Sequence, residues 1–253
     1  MMSSRDRLDD REMTPGASSD AERRLSDYFA QVRAEDPGPS RRRVLRSIVP
    51  ESLRLTTRVI LTDGIAFSQR RKADRFAQNN APLRLHLGSG RSPKPGWVNI
   101  DLVGYPGDLY WNLLRPLPFA SGSADAIFHE HVLEHFSLQE ALGIVKESFR
   151  VLRPRGILRI GVPDLGRYIQ AYVGDDSLLE EVRPGRPTPA LAMQELFFRH
   201  GHRSAYDWDT LALIAQAAGF RSCERRFFGE SDLDPAPDSE ERRPETLYVE
   251  CLK

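Results

Sequence analysis

The sequence has little cysteine, no net charge and no long apolar run, and each shortage removes a class of protein. Two cysteines in 253 residues, Cys223 and Cys251, are too few for a disulfide-built scaffold or a cysteine zinc site. Both are expected to pack as small apolar side chains. Thirty-six basic side chains balance thirty-six acidic ones, so bulk charge gives no pull toward a polyanion and no nucleic-acid partner is expected. No stretch approaches the ~20 apolar residues that span a bilayer. The opening run MMSSRDRLDDREMTPGASSDAERR lacks the apolar centre of a secretory leader, which points to a cytoplasmic protein. With 40% hydrophobic residues, the chain is long and apolar enough for one globular domain plus extensions.

Residues 1–40 are rich in Asp, Arg, Ser, Pro and Gly, with few apolar anchors. A disordered tail is expected there, with a short helix at 25–32. Between 41 and 75 the character changes. Arg41, Arg42, Arg43, Arg46, Arg54, Arg58, Arg70, Arg71, Lys72 and Arg75 face only Glu51, Asp63 and Asp74, interspersed with apolar residues. This reads as a basic helical extension, 41–80, packed beside the main domain, with peripheral contact to anionic lipid or a polyanionic partner as the second reading.

The main domain is expected over 81–253. Leu85-His86-Leu87 is a strand ending in Gly88-Ser89-Gly90. Residues 97–100 form a second strand, closed by Asp101, and 124–128 a third. Ser137-Leu138-Gln139-Glu140 is a capping-box pattern opening a helix with apolar positions at helical spacing. Further strands are expected at 157–162, 221–228 and 246–252, helices at 190–198 and through 211–217, and an exposed loop at 230–244. Strands alternating with helices define an α/β doubly wound sheet.

In such a sheet a ligand sits beyond the carboxyl ends of the strands. A Gly-x-Gly turn there admits backbone N–H groups close to a ligand, and a carboxylate ending the next strand can accept two ribose hydroxyls. On the other side stand a plain strand-exit turn and a solvated acid. G-S-G-R-S-P does not complete the G-x-G-x-x-G of dinucleotide binders.

The run LRLHLGSG, GWVNIDL, NLLRPLPFASGSADAIFHEHVLEHF, ESFRVLRPRGILRIGVPDL resembles class I S-adenosylmethionine-dependent methyltransferases, nearest the type 11-like branch of small-molecule and glycan-cluster enzymes. The resemblance is strong over 83–165 and looser through HRSAYDWDTLALIAQAAGF to the last strands. It implies a Rossmann-like seven-stranded sheet, mostly parallel with an antiparallel last strand and helices on both faces. It implies S-adenosylmethionine as cofactor and a small-molecule or glycan-like acceptor. By position, Gly88, Ser89 and Gly90 would lie against the cofactor's amino-acid part, and Asp101 would hold its ribose. Leu102 would rest on the adenine, Asn112 would accept from the adenine amino group, and His129 would line the methionine end. The chain departs from the family at His86, often an acid or Asn, and at Ser92, in place of a third glycine. Pro93 and Pro95 imply a short or missing first helix. These departures keep a non-catalytic binding module in view.

Methyl transfer needs alignment more than covalent help, with a base only for an acceptor that must lose a proton. Candidate bases are His131, Asp164 and His202, with Tyr206 behind them. Against them stand a helix cap for Asp164 and surface polarity around Gly201 for His200 and His202. The Asn-Pro-Pro-Tyr motif of amino-directed nucleic-acid enzymes is absent. His131-Val132-Leu133-Glu134-His135 also fits H-x-x-E-H, the inverted zinc-peptidase pattern, which needs both histidines on one helix face. At a strand exit no metal is expected, and zinc hydrolysis is the remote alternative.

Overall fold

The computed structural model describes residues 17–35, 51–174 and 177–253. Strands β1 (Arg84–Leu87), β2 (Val98–Asp101), β3 (Leu109–Tyr110), β4 (Ala124–Glu130), β5 (Leu152–Pro163), β6 (Ser222–Arg226) and β7 (Thr246–Leu252) form one sheet. Their order is β3-β2-β1-β4-β5-β7-β6. β1 pairs in parallel with β2 and β4, β2 with β3, and β4 with β5. β7 alone is reversed, antiparallel to both β5 and β6. This is the Rossmann-like sheet expected. Strand order turns back between β1 and β4, so loops leave that point in opposite directions and open a crevice at the carboxyl edge. β3 is two residues long and has no periodicity to reveal it.

Alternation explains how β1 serves two faces. Leu85 and Leu87 are fully buried in the main core. His86 points the other way, its ring stacked on Phe128 with centroids 5.0 Å apart. Helix α4 (Leu138–Val151) opens with the expected capping box: Ser137 N donates to Glu140 Oε2 at 2.8 Å and Glu140 N to Ser137 Oγ at 3.4 Å. It buries Ala141, Ile144, Val145, Ser148 and Val151, a stripe at helical spacing. Its partner is helix α8 (Trp208–Ala218), capped by Asp207, which accepts from Thr210 N at 2.9 Å. Gly219, at φ 108°, ends α8 in the left-handed region; a Cβ there would meet the Phe149 ring at 3.2 Å, so glycine is needed both for the turn and for the approach.

Three expectations are corrected. The tail is helical over α1 (Ala17–Glu35); Arg24 and Gln31 donate to the carbonyls of Pro187 (3.0 Å) and Pro184 (2.8 Å). Prolines leave carbonyls to be satisfied by side chains from elsewhere, and composition alone cannot show such a partner. Residues 1–16 and 36–50 lie outside the described residues. The cysteines do not stay separate: Cys223 and Cys251 face each other across β6 and β7 and form a disulfide. Finally, the charged loop 230–244 is anchored rather than simply exposed. Arg159 on β5, with no exposure, binds Asp238 through Nε at 2.7 Å and Nη2 at 2.6 Å. It also reaches Glu250 at 3.1 Å and the carbonyl of Glu230 at 2.8 Å. A buried guanidinium with every direction filled fixes that loop over the sheet.

The basic extension comprises helices α2 (Glu51–Gly64) and α3 (Ala66–Asn79). They dock beside β2 and β3: Thr62 Oγ1 accepts from Val103 N at 3.0 Å, Gln69 Oε1 from Tyr110 N at 3.1 Å, and Arg58 lies over the Tyr105 ring at 4.4 Å. Helices α5 (Leu165–Val173), α6 (Leu178–Val182) and α7 (Pro189–Gln194), the last continued by a π turn Glu195–Arg199, build a second, smaller core around Tyr168 and Leu196. Among the described residues no helix is long and apolar enough to cross a membrane.

Candidate functional site

The glycine turn at the end of β1 closes on the end of β2. Gly88 and Gly90 have φ of 64° and 55°, conformations costly for any side chain. Gly88 N donates to the Ile100 carbonyl at 2.8 Å. Asp101 turns its carboxylate into the bend: Oδ2 accepts from Gly90 N and Oδ1 from Leu102 N, both at 2.6 Å. Burial raises its carboxyl above the ordinary value, while those two N–H groups and the charge of Arg58 pull it down.

The two glycines differ in what surrounds them. A Cβ at Gly88 would lie 2.5 Å from Val132 Cγ2, whereas at Gly90 the nearest atom is the Gly88 carbonyl oxygen, at 4.0 Å. Gly88 is therefore a packing glycine, with Val132 pressed on it, and Gly90 borders open space. Ser89 Oγ is buried and has no hydrogen-bond partner among the described residues. A half-buried carboxylate with free lone pairs, open space beside Gly90 and an orphaned hydroxyl suit a polar ligand bearing adjacent hydroxyls. Between Gly90 and β2 the chain runs in turns without a helix, as Pro93 and Pro95 imply.

The other cofactor-side residues are placed less simply. Leu102 is half-buried directly after Asp101. Asn112 uses its side-chain oxygen on Leu114 N at 3.0 Å, a local turn that commits the acceptor expected for adenine. His129 is fully buried, both ring nitrogens without partners among the described residues; burial lowers it to about 3. It belongs to the interior rather than to an open wall. His86 lies on the far face of β1, bonded to Asn99 Oδ1 at 3.0 Å and lowered to about 4 by burial.

The candidate bases are engaged. Asp164 caps α5, accepting from Arg167 N at 3.1 Å, and pairs with Arg225 at 2.8 Å. His131, at φ 53°, sets Nε2 2.9 Å from Thr246 Oγ1 and Nδ1 3.5 Å from Glu134 Oε1. Burial holds it well below the ordinary imidazole value. His202 Nδ1 bonds the Leu196 carbonyl at 2.5 Å, and Tyr206 is fully buried with its hydroxyl near Ser204. The H-x-x-E-H spacing falls on a 3-10 turn, Leu133–His135, preceded by His131. A one-helix peptidase arrangement is thus not formed.

Sequence reasoning missed a cavity of about 610 Å³ at the carboxyl ends of β5 and β6 and the amino end of the antiparallel β7. Asp164 and Arg167 line it with Arg225, Arg226 and Arg243, and Phe227 and Phe228 supply aromatic rings. The signal was present as R-R-F-F at the carboxyl end of a strand, where ligands gather. Tyr248 on β7, also in the lining, donates to Glu130 on β4 at 2.7 Å, tying the cavity wall to the strand that leads to Val132.

Residues 109–160 match a family model described as a methyltransferase domain. That segment runs from β3 into β5, the middle of the Rossmann-like sheet. No curated protein matches the sequence. Among solved structures it is similar to a SAM-dependent methyltransferase from Archaeoglobus fulgidus, with 12% identity and a TM-score of 0.45 over 78% of this chain and 94% of that one. It is also similar to an S-adenosylmethionine-dependent methyltransferase from Mesorhizobium loti, with 15% identity and a TM-score of 0.41 over 68% and 90%. Likeness at that level carries no argument about chemistry, which rests on the residues themselves.

Proposed function

We propose that this chain is an S-adenosylmethionine-dependent methyltransferase acting on a small, hydroxyl-rich, glycan-like acceptor. The observation that carries the reading is the Asp101 carboxylate, 2.6 Å from Gly90 N, beside a hollow at the carboxyl edge of β1 and β2. When bound, the cofactor supplies a sulfonium methyl for in-line transfer to a nucleophile. Asp101 would hold its ribose hydroxyls, and the Gly88–Gly90 backbone would lie against its amino-acid end. Val132, packed on Gly88, stiffens the turn.

The acceptor would occupy the cavity beyond β5, β6 and β7. Its volume, about 610 Å³, is that of a small-molecule site. Most of its cations are already paired: Arg225 with Asp164, Arg243 with Glu240, Arg226 with Glu224. Paired charges offer hydrogen bonds without a strong net field, and two phenylalanine rings give flat apolar faces, a combination suited to a polyhydroxylated ligand. Titration with S-adenosylhomocysteine tests the reading. Wild-type protein should release heat on binding, and Asp101→Ala should weaken the affinity by about a hundredfold through loss of charge-assisted hydrogen bonds. Absence of binding at millimolar ligand by the wild type would reject it.

One observation favours a binding module without turnover: His131 and Asp164 spend their polar atoms on neighbours, and His202 commits Nδ1 to the Leu196 carbonyl. Tight cofactor binding with no methyl transfer to any hydroxylated acceptor would select that alternative.

A further inference from the structure

The turn after β4 holds a group of side chains that methyl transfer does not use. Glu134 is 1% exposed, and neither carboxylate oxygen has a hydrogen-bond partner among the described residues. Its nearest polar neighbour is His131 Nδ1, 3.5 Å from Oε1, and a buried carboxylate so incompletely paired is expensive. Beside it lie His135 and His202, their rings edge to face with centroids 5.0 Å apart. One ligand atom from each of Glu134, His135 and His202 lies within 4.8 Å of the others. A cavity of about 10 Å³, lined by Glu134, His202, Leu196, Ser204, Tyr206 and their neighbours, opens at the same spot. That is at the lower limit of the space one water-sized occupant needs, and His135 lies outside its lining.

We infer that Glu134, His135 and His202 form a binding site for one divalent transition-metal ion of the zinc class. Two imidazole nitrogens and one carboxylate oxygen are the donors that ion takes when it keeps a fourth position for water or substrate. The rings are prepared for it. His202 gives Nδ1–H to the Leu196 carbonyl, which leaves Nε2 unprotonated. His135 has the corresponding bond to the His200 backbone. The long-range field is mixed: Arg183 and Arg242 oppose a cation while Glu245 and Glu130 favour one. Ligands about 2.1 Å from a tetrahedral ion lie roughly 3.4 Å apart, so atoms spaced up to 4.8 Å need to close by up to about 1.4 Å. His135 is exposed and has the freedom to do so.

The ion would tie two segments already in contact. Arg203 N and Ser204 N donate to the Glu134 carbonyl at 2.7 and 3.2 Å, and Ser204 Oγ donates to the Phe136 carbonyl at 2.9 Å. This differs from the H-x-x-E-H peptidase set: His131 commits Nε2 to Thr246 and sets Nδ1 3.5 Å from Glu134 Oε1, outside the three-ligand group, and the distant His202 takes its place. It is independent of the methyltransferase reading, since neither Asp101 nor the glycine turn takes part.

The test is titration of chelator-stripped full-length protein with Zn²⁺ by calorimetry and with Co²⁺ by visible absorption. One ion per chain is expected, with the intense absorption of a tetrahedral Co²⁺ centre. His135→Ala, His202→Ala and the near-isosteric Glu134→Gln should each weaken binding by about a hundredfold. His200→Ala, which removes a nearby ring outside the set, should not. Melting curves without metal show which variants fold; if His202→Ala does not, Glu134→Gln gives the reading. Binding no tighter than millimolar, equal affinity in the ligand variants, or loss in His200→Ala to the same extent would overturn the assignment.

Discussion

The glycine turn and the histidine-rich turn sit on the same edge of one sheet, at the ends of β1 and β4, yet they are built in opposite ways. At the first, polar groups satisfy one another locally: Asp101 takes two backbone N–H groups, and the neighbouring Asn99 serves Lys94, Trp97, Asp108 and His86 at once. At the second, a buried carboxylate makes no hydrogen bond among the described residues and has only His131 at 3.5 Å, with a ring nitrogen of His135 and of His202 within 4.8 Å. A self-satisfied turn can wait for its ligand in a fixed shape. A frustrated cluster stores an unmet demand, which a proton or a cation must answer.

Breaking the first region should have the largest effect. Gly88→Ala drives a Cβ into Val132 at a left-handed φ and should cost about 4 kcal/mol, with cofactor binding lost as well. Gly90→Ala meets no atom closer than 4.0 Å, so denaturant melts should show a loss of only about 1 kcal/mol. Its new methyl enters the hollow, and binding should fail although the fold survives. Equal stability loss in the two variants would remove the distinction between a packing and a ligand-facing glycine.

Next in size is the disulfide between Cys223 and Cys251, 28 residues apart. Reduction should destabilise the fold by about 3.5 kcal/mol in thermal or denaturant melts. It should loosen the β6–β7 wall of the large cavity and leave S-adenosylhomocysteine affinity almost unchanged. A comparable loss of both would show that the two regions are coupled.

Acid provides the third contrast. His86 is lowered from 6.5 to about 4, so the folded protein binds fewer protons than the unfolded chain between those values. The stability this represents is complete above pH 6.5 and is lost as pH falls toward 4, up to about 3 kcal/mol. His86→Leu should flatten that part of the stability profile, with other buried histidines supplying the remaining slope. Ser137→Ala, at the capping box that follows the histidine turn, should cost about 1 kcal/mol in the same melts. A neutral result there would mean the cap is redundant.

Legibility in the sequence follows the range of the interactions. The glycine turn, Asp101, the capping box at Ser137 and the cap at Asp207 join residues close in sequence or on adjacent strands, and spacing reveals them. β3 is too short for any period. Arg159 meets Asp238 across 79 residues, and Glu134 meets His202 through the fold rather than through a motif; neither pairing has a sequence signal. Asn112 and His129 were expected beside a cofactor by position alone, and the Asn112 bond to Leu114 N and the full burial of His129 are set by the fold. The R-R-F-F run was readable as a strand end, and only the antiparallel placement of β7 shows that it closes a cavity.

A crystal structure of the protein with S-adenosylhomocysteine tests the central claim most directly. The account predicts ribose hydroxyls within hydrogen-bonding distance of Asp101 and the homocysteine end over Gly88 and Gly90. A ligand bound elsewhere, with Asp101 still serving only Gly90 and Leu102, would contradict it.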